Sequence, residues 1–129
     1  MFSFTKRKLL CDRTALAEWG EKRAQKFLRK QGCTILARNY LCKTGELDLV
    51  CADPDGTIVF VEVKTRTAED FAEPEDSITA SKKQRLSRAA QYFLKTHRIE
   101  NRPCRFDVVA IVLEQTGVQV IRHYKGAFT

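Results

Sequence analysis

The sequence predicts a mixed α/β fold in which helices pack against a central sheet, and three observations lead there. Apolar residues recur at three- and four-residue steps in two long segments, 12–31 and 77–97, the periodicity of helices with one buried face. Between and after them lie short runs rich in β-branched residues, bounded by turn-forming residues, as strands are. The resulting order is helix, three strands, helix, strand, strand, with no internal repeat and no Gly-, Ser- or Pro-rich linker to divide it. A chain of 129 residues has room for one sizeable core, so residues 1–129 are expected to form a single domain.

In the first helix, Asp12 to Gln31, the buried face is Ala15, Leu16, Trp19, Ala24, Phe27 and Leu28. Asp12 is placed to cap its start and Gly32 to stop it. Gly20 inside this helix costs up to about 1 kcal/mol relative to alanine, which calls for either close packing or function. The strands Thr34–Tyr40, Glu46–Ala52 and Thr57–Thr65 follow. The turn Asp53-Pro54-Asp55-Gly56 sets a tight reversal and predicts that the second and third pair as an antiparallel hairpin. A polar loop, Thr67 to Asp76, leads to a helix from Ser77 to His97 that buries Ile78, Leu86, Ala89, Ala90, Phe93 and Leu94. Pro103 precedes a strand from Arg105 to Leu113, and Gln115-Thr116-Gly117 turns the chain into a last strand, Val118 to Tyr124.

The 23 Lys and Arg outweigh 16 Asp and Glu, for a net charge of +7 and a pI near 9.3, a field attractive to polyanions. Nucleic acid is therefore the first partner to consider. No run approaches the roughly 20 apolar residues of a membrane span, and the start, Met1 to Leu10, lacks the apolar stretch of a secretory signal. The expectation is a soluble cytoplasmic protein without a membrane partner. Cys11, Cys33, Cys42, Cys51 and Cys104 show no CxxC pairing and read as reduced thiols. His97 and His123 stand isolated, and neither is assigned catalysis.

Charge inside the most hydrophobic strand carries the chemistry. Residues two apart on a strand share a face, so Glu62 and Lys64 project together while Val61 and Val63 point to the other side. On the neighbouring strand Glu46 and Asp48 should share a face, with Leu47 and Leu49 opposite. If the hairpin joins these faces, three carboxylates and a lysine gather in one patch, costly unless something offsets repulsion and desolvation. A bound Mg²⁺ would do so, because hard cations take oxygen ligands and leave positions for water and phosphate. Asp48 and Glu62 would hold the ion for metal-assisted phosphodiester hydrolysis, with Lys64 orienting the water or steadying phosphate charge and Glu46 in support. Spacing alone fits equally an exposed ion pair on a sheet edge with Asp48 bonded to a turn.

Asp48 followed after 14 residues by Glu62-Val63-Lys64 resembles the acidic and ExK elements of the PD-(D/E)xK nuclease superfamily, and the element order resembles its αβββαβ core. Over nearly the whole chain, Gly20-Glu21, Ile35-Leu36-Ala37-Arg38-Asn39-Tyr40, Gly45-Glu46-Leu47-Asp48-Leu49, Val59 to Arg66, Cys104 to Val109 and Ala127-Phe128 resemble the bacterial YraN family. That family is endonuclease-like and similar to archaeal Holliday-junction resolvases. The resemblance implies a restriction-endonuclease-like fold, Mg²⁺ as cofactor with Mn²⁺ as substitute, and DNA as partner, including branched DNA. It also implies a homodimer, since junction resolvases make two cuts. It draws Glu21 towards the metal, beside Asp48 and Glu62, and gives Arg38 and Thr44 site-lining places; a surface cation and a turn residue are the plainer readings of those two.

Lys82, Lys83, Arg85 and Arg88 crowd the start of the second helix, beside Ser81, where helix amides also favour anions. They read as a phosphate-backbone contact or as a solvated helix face, and neither gives base specificity. Lys43, Arg66 and Arg105 would extend a basic rim. Asp107, inside an apolar strand, reads as a structural carboxylate bonded to backbone or arginine. Two functions compete: a metal-dependent endonuclease, and a nucleic-acid-binding accessory with a nuclease fold and little or no hydrolysis.

Overall fold

The computed structural model describes residues 12–67, 78–114, 116, 117 and 119–128. Helix α1 (Arg13–Lys30) begins where its cap predicts: the Asp12 carboxylate accepts the backbone N–H of Thr14 at 3.0 Å and of Ala15 at 3.1 Å. It ends at Gly32, whose φ of +90° is the left-handed conformation that glycine adopts without strain. Strands β1 (Thr34–Cys42), β2 (Gly45–Ala52) and β3 (Ile58–Thr67), helix α2 (Ala80–Thr96), and strands β4 (Cys104–Leu113) and β5 (Gln119–Phe128) follow in order.

Several boundaries differ from the sequence reading for local reasons. Helix α2 starts at Ala80, because Thr79 is extended and its hydroxyl accepts the Lys82 N–H at 3.1 Å; Ser77 lies outside the described residues. Strand β5 runs past Tyr124 to Phe128 by way of a bulge opposite Asp107. There Phe106 pairs with Phe128 and Val108 with Tyr124, and the Gly126 N–H is bonded by the Asp107 carboxylate at 3.0 Å instead of a ladder carbonyl.

The five strands form one mixed sheet in the order β1-β2-β3-β4-β5. The hairpin is as predicted: β2 and β3 are antiparallel, while α2 carries the chain from β3 to a parallel β4. Helix α1 covers one face, where Ala24 and Leu28 meet Leu49, Cys51, Val59, Val61, Val109 and Ile111. Helix α2 covers the other, where Leu86, Ala89, Ala90 and Phe93 meet Val50, Ile58, Phe60 and Val108. The result is a mixed α/β architecture with a five-stranded sheet between two helices.

Gly20 is explained by packing. A Cβ there would lie 1.8 Å from Thr65 Oγ1 and 2.8 Å from Thr65 Cβ, so only a glycine lets α1 approach β3 this closely. The approach brings the next residue, Glu21, to the same end of β3 as Glu62 and Lys64.

Among the described residues no helix is long and apolar enough to cross a membrane. Cys33, Cys42, Cys51 and Cys104 are free thiols, as their spacing suggested, and Cys11 lies outside the described residues.

Candidate active site

The site forms where regular strand geometry breaks. Leu47 packs in the α2-side core and Leu49 in the α1-side core, with Val50 again on the α2 side. Strict alternation had placed Leu47 and Leu49 on one face; the irregularity at Asp48 corrects that. Strand β1 breaks at the same rung. Ala37 and Tyr40 both lie on the α2 side, and between them Asn39 takes a left-handed φ of +49°. Asn39 stands across from Asp48, between the pairs Arg38–Leu49 and Tyr40–Leu47.

The β2–β3 ladder closes with Leu49 opposite Val61. Beyond that pair Asp48 acts in place of a ladder carbonyl, its Oδ2 accepting the Val63 N–H at 2.9 Å. Asp48 is thereby fixed by backbone beside Glu62, and the two line the same cavities. Burial, followed by the charge of Glu62, pushes the Asp48 carboxyl up to about 8. Two carboxyls held together away from water retain a proton near neutral pH.

Glu62 is only 8% exposed and has one ion-pair partner among the described residues, Lys82 of α2, with Nζ 3.3 Å from Oε1. Lys64 sits beside them, half-buried, its pKa lowered by burial and then by the neighbouring Lys82. Glu62 and Lys64 therefore do lie together, and a second lysine joins them from α2. The sequence reading had Lys82 as a phosphate contact on a helix surface; here it is turned onto a buried carboxylate.

Two cavities meet at this group. One, of about 340 Å³, opens on the α1 side and is lined by Glu21, Asp48, Glu62, Lys64, Arg66 and Lys82, with Arg13 at its edge. The other, of about 280 Å³, opens towards α2 and is lined by Glu46, Asp48, Glu62, Lys82, Arg85 and Leu86. Glu21 and Glu46 thus flank the pair from opposite sides. Burial raises the Glu21 pKa, and a hydrogen bond from the Asn39 side chain opposes that rise. The charges of Glu46, Glu18 and Glu62 push it further up. Among the described residues, no three Asp, Glu, His or Cys side chains converge closely enough to cage a metal ion. The expected patch of three carboxylates is a close pair with two flanking acids.

The remaining candidates divide. Arg66 lines the α1-side cavity and bonds the Thr65 carbonyl at 2.9 Å; Arg85 lines the α2-side cavity. Lys83 lies over the Phe128 ring at 5.7 Å, and Arg88 is exposed on α2. Arg38 and Lys43 are exposed and line neither cavity. Thr44 shares a hydrogen bond with Cys42 at 3.3 Å, a turn role. Sequence reasoning missed the close approach of Lys82, the place of Arg13, and Asn39. Only the last carried a local signal, since asparagine is the residue that most readily replaces glycine at positive φ.

A second polar cluster lies away from these cavities. Asp107 is fully buried and accepts Arg105 Nε at 3.0 Å, His123 Nε2 at 2.7 Å and the Gly126 N–H at 3.0 Å. Burial opposes its charge, but these hydrogen bonds and the guanidinium hold its pKa below the usual carboxylate range. Asp107 is structural, as expected. His123, read as isolated, is bonded to it, and Arg105 pairs with Asp107 and Asp53 instead of extending a rim.

Fold and site define a mixed α/β protein with a carboxylate pair, one member buried, and two lysines at the end of a splayed hairpin. Within that class the chain belongs to the uncharacterised protein family UPF0102, whose profile matches residues 20–111. It is 44% identical over 117 residues to a UPF0102 protein of Pelotomaculum thermopropionicum, covering 90% of this chain and 97% of that one. It is 48% identical over 100 residues to the UPF0102 protein RSc3265 of Ralstonia nicotianae, covering 75% and 77%. Among solved structures, Pyrococcus furiosus SfsA in complex with Ca²⁺ matches at 14% identity and a TM-score of 0.37. That match covers 88% of this chain and 64% of the SfsA chain.

Proposed function

We propose that this protein is a metal-dependent endonuclease of the PD-(D/E)xK type, hydrolysing DNA phosphodiester bonds, with branched DNA among its candidate substrates. The observation that carries the reading is the Asp48–Glu62 pair: two carboxyls that both line the same two cavities, Glu62 nearly buried, beside two lysines. Such a pair is unfavourable on its own. Its cost is visible in the raised Asp48 pKa and in the lysine drawn onto Glu62.

The donor set fits Mg²⁺, with Mn²⁺ as substitute. Mg²⁺ commonly takes one or two carboxylates and fills its remaining positions with water and substrate phosphate. Asp48 and Glu62 would hold it, with Glu21 approaching from α1 and Glu46 acting from the α2 side. When bound, the ion would supply Lewis-acid polarisation of a phosphoryl oxygen and a lowered pKa for the attacking water.

The chain's own groups supply the rest. Lys64, kept half-buried beside the pair, steadies charge on the phosphate or orients the water. Arg66 and Arg85 line the two cavities, and Lys82 is within reach of both; these cations neutralise backbone phosphates without reading sequence. Held Val63 N–H and closely packed α1 make the site rigid, as positioning of reactants requires.

A second reading rests on the Lys82–Glu62 pair, which satisfies the buried acid internally. It describes a DNA-binding accessory with negligible hydrolysis. Incubating the protein with plasmid, linear and four-way-junction DNA, with Mg²⁺, Mn²⁺ or chelator, separates the two. Metal-dependent cleavage supports the endonuclease; salt-sensitive binding without product under every metal condition supports the accessory.

A further inference from the structure

We infer that Lys82 couples metal binding to phosphate binding: paired with Glu62, it competes with a divalent cation for that carboxylate, and once released it is in place to take a DNA phosphate. The inference rests on the proposed metal site and adds a condition to its use, that cation and DNA are bound together.

Lys82 is tied to the site by position and by contact. Its Nζ lies 3.3 Å from Glu62 Oε1, and Asp48, Glu62 and Lys82 are the three residues that line both cavities. The lysine therefore stands where the two spaces meet, against a nearly buried acid. An ammonium group this close repels a divalent cation approaching the same carboxylate, so the two compete.

Position in the helix does not favour a lysine there. Lys82 is the third residue of α2, in a first turn without an acidic residue, and a cation at that end works against the helix macrodipole. The contact with Glu62 offsets this. The Thr79 hydroxyl fixes the Lys82 backbone, accepting its N–H at 3.1 Å, while the side chain, 35% exposed, keeps a flexible four-carbon tether. The ammonium can leave Glu62 without any movement of the helix.

Charge decides what releases it. Around the two cavities four acids, Glu21, Glu46, Asp48 and Glu62, face five bases, Lys82 among them. A divalent cation alone would add positive charge to a group that is already close to balance. A phosphodiester reduces that excess and gives the released ammonium a partner. Cation and phosphate therefore favour each other, and by linkage each raises the other's affinity by the same factor.

The test measures Mn²⁺ affinity by calorimetry on the intact protein, alone and with a DNA duplex whose phosphorothioate linkages resist cleavage. Lys82→Gln removes the charge and keeps most of the length. Without DNA it should tighten Mn²⁺ binding about three- to tenfold, more than an exposed ion pair would give because Glu62 is nearly buried. Lys83→Gln makes the same charge change one residue along and outside both cavities, and should stay within about twofold of wild type. The duplex should tighten Mn²⁺ binding to wild type by a factor at least about three times larger than in Lys82→Gln. In wild-type protein with isotopically labelled lysine side chains, Mg²⁺ should shift the Lys82 ε-methylene resonance and the duplex should shift it again, a readout independent of how any variant folds.

Where wild type binds Mn²⁺, an affinity unchanged or weaker in folded Lys82→Gln, or an equal gain in Lys83→Gln, would overturn the inference while leaving the metal site standing. Equal tightening by the duplex in wild type and Lys82→Gln, or a Lys82 resonance indifferent to bound Mg²⁺, would do the same. Mn²⁺ binding by Lys82→Gln but not by wild type would support the competition in its strongest form. No Mn²⁺ binding by either protein would overturn the metal site and the coupling together.

Discussion

Replacing Asp48 with asparagine should stabilise the metal-free protein, and increasingly so as pH rises. Burial and Glu62 lift the Asp48 carboxyl from 3.8 to about 8 on folding, so between these values the native state holds a proton that the unfolded chain has released. A carboxyl raised on folding contributes stability at low pH that is lost as pH climbs from the unfolded value to the folded one. The loss is at most about 1.4 kcal/mol per pH unit inside that window, hence about 2–3 kcal/mol between about pH 5 and about pH 7. Asparagine does not titrate, and its side-chain carbonyl can still accept the Val63 N–H. The advantage of Asp48→Asn should therefore grow by about 2–3 kcal/mol over that interval, or roughly 6–15 °C in melting temperature for a chain of this size. Urea unfolding across this range, in chelator, measures it. An advantage that is constant with pH, or that shrinks as pH rises, would refute the reasoning. The same variant should lose the stabilisation that Mn²⁺ gives the wild type, since native-state ligands stabilise by mass action.

Three other outcomes are expected. Gly20→Ala gains about 1 kcal/mol of helix propensity but drives a methyl into Thr65, whose Cβ is in the way as well as its hydroxyl. Overpacking of about 1–3 kcal/mol should leave a net loss in urea unfolding, largely reversed by adding Thr65→Gly. Neutralising Lys82, Arg85 and Arg88 together should weaken DNA binding uniformly across sequences and make its log-log salt dependence shallower by about 2–3; an unchanged slope in a fluorescence-anisotropy salt titration would remove α2 from the contact surface. Asp107→Ala strands His123 and the Gly126 N–H and leaves Arg105 with Asp53 alone, and should cost about 3 kcal/mol or more. Because that cluster lies away from both cavities, Mn²⁺ affinity of the folded variant should stay within about twofold of wild type, a difference under roughly 0.5 kcal/mol.

Much of this was legible because periodicity and turn chemistry are local. The faces of α1 and α2, the caps at Asp12 and Gly32, and the Asp53–Gly56 reversal all follow from neighbours in sequence, and the structure places them as expected. Glu62 and Lys64 were legible for the same reason: two charges at alternate positions of an apolar strand stand out. What sequence could not supply was the break in alternation. Leu47 and Leu49 look equivalent in a two-residue period, and only Asn39, left-handed on the partner strand, shows that they part at Asp48. Lys82 was hidden among four basic residues within about two helix turns, and which of them reaches Glu62 depends on how α2 crosses the sheet. Gly20 announced a close approach but not its target, since Thr65 lies 45 residues further along the chain. His123 gained its partner through the same long-range pairing, across a bulge whose cause is Asp107 itself.

The most direct test of the nuclease site is cleavage of a four-way DNA junction by wild-type protein and by Glu62→Ala, each with Mn²⁺ and again after chelation. Glu62 is the acid most fully committed to the site, and its loss leaves the fold intact if the variant's circular dichroism and melting temperature match wild type. Product from wild type with Mn²⁺ alone, and none from Glu62→Ala or after chelation, is the expected result. Cleavage by the folded Glu62→Ala protein, or cleavage that survives chelation, would contradict the assignment of Asp48, Glu62 and Lys64 as a metal-dependent nuclease site.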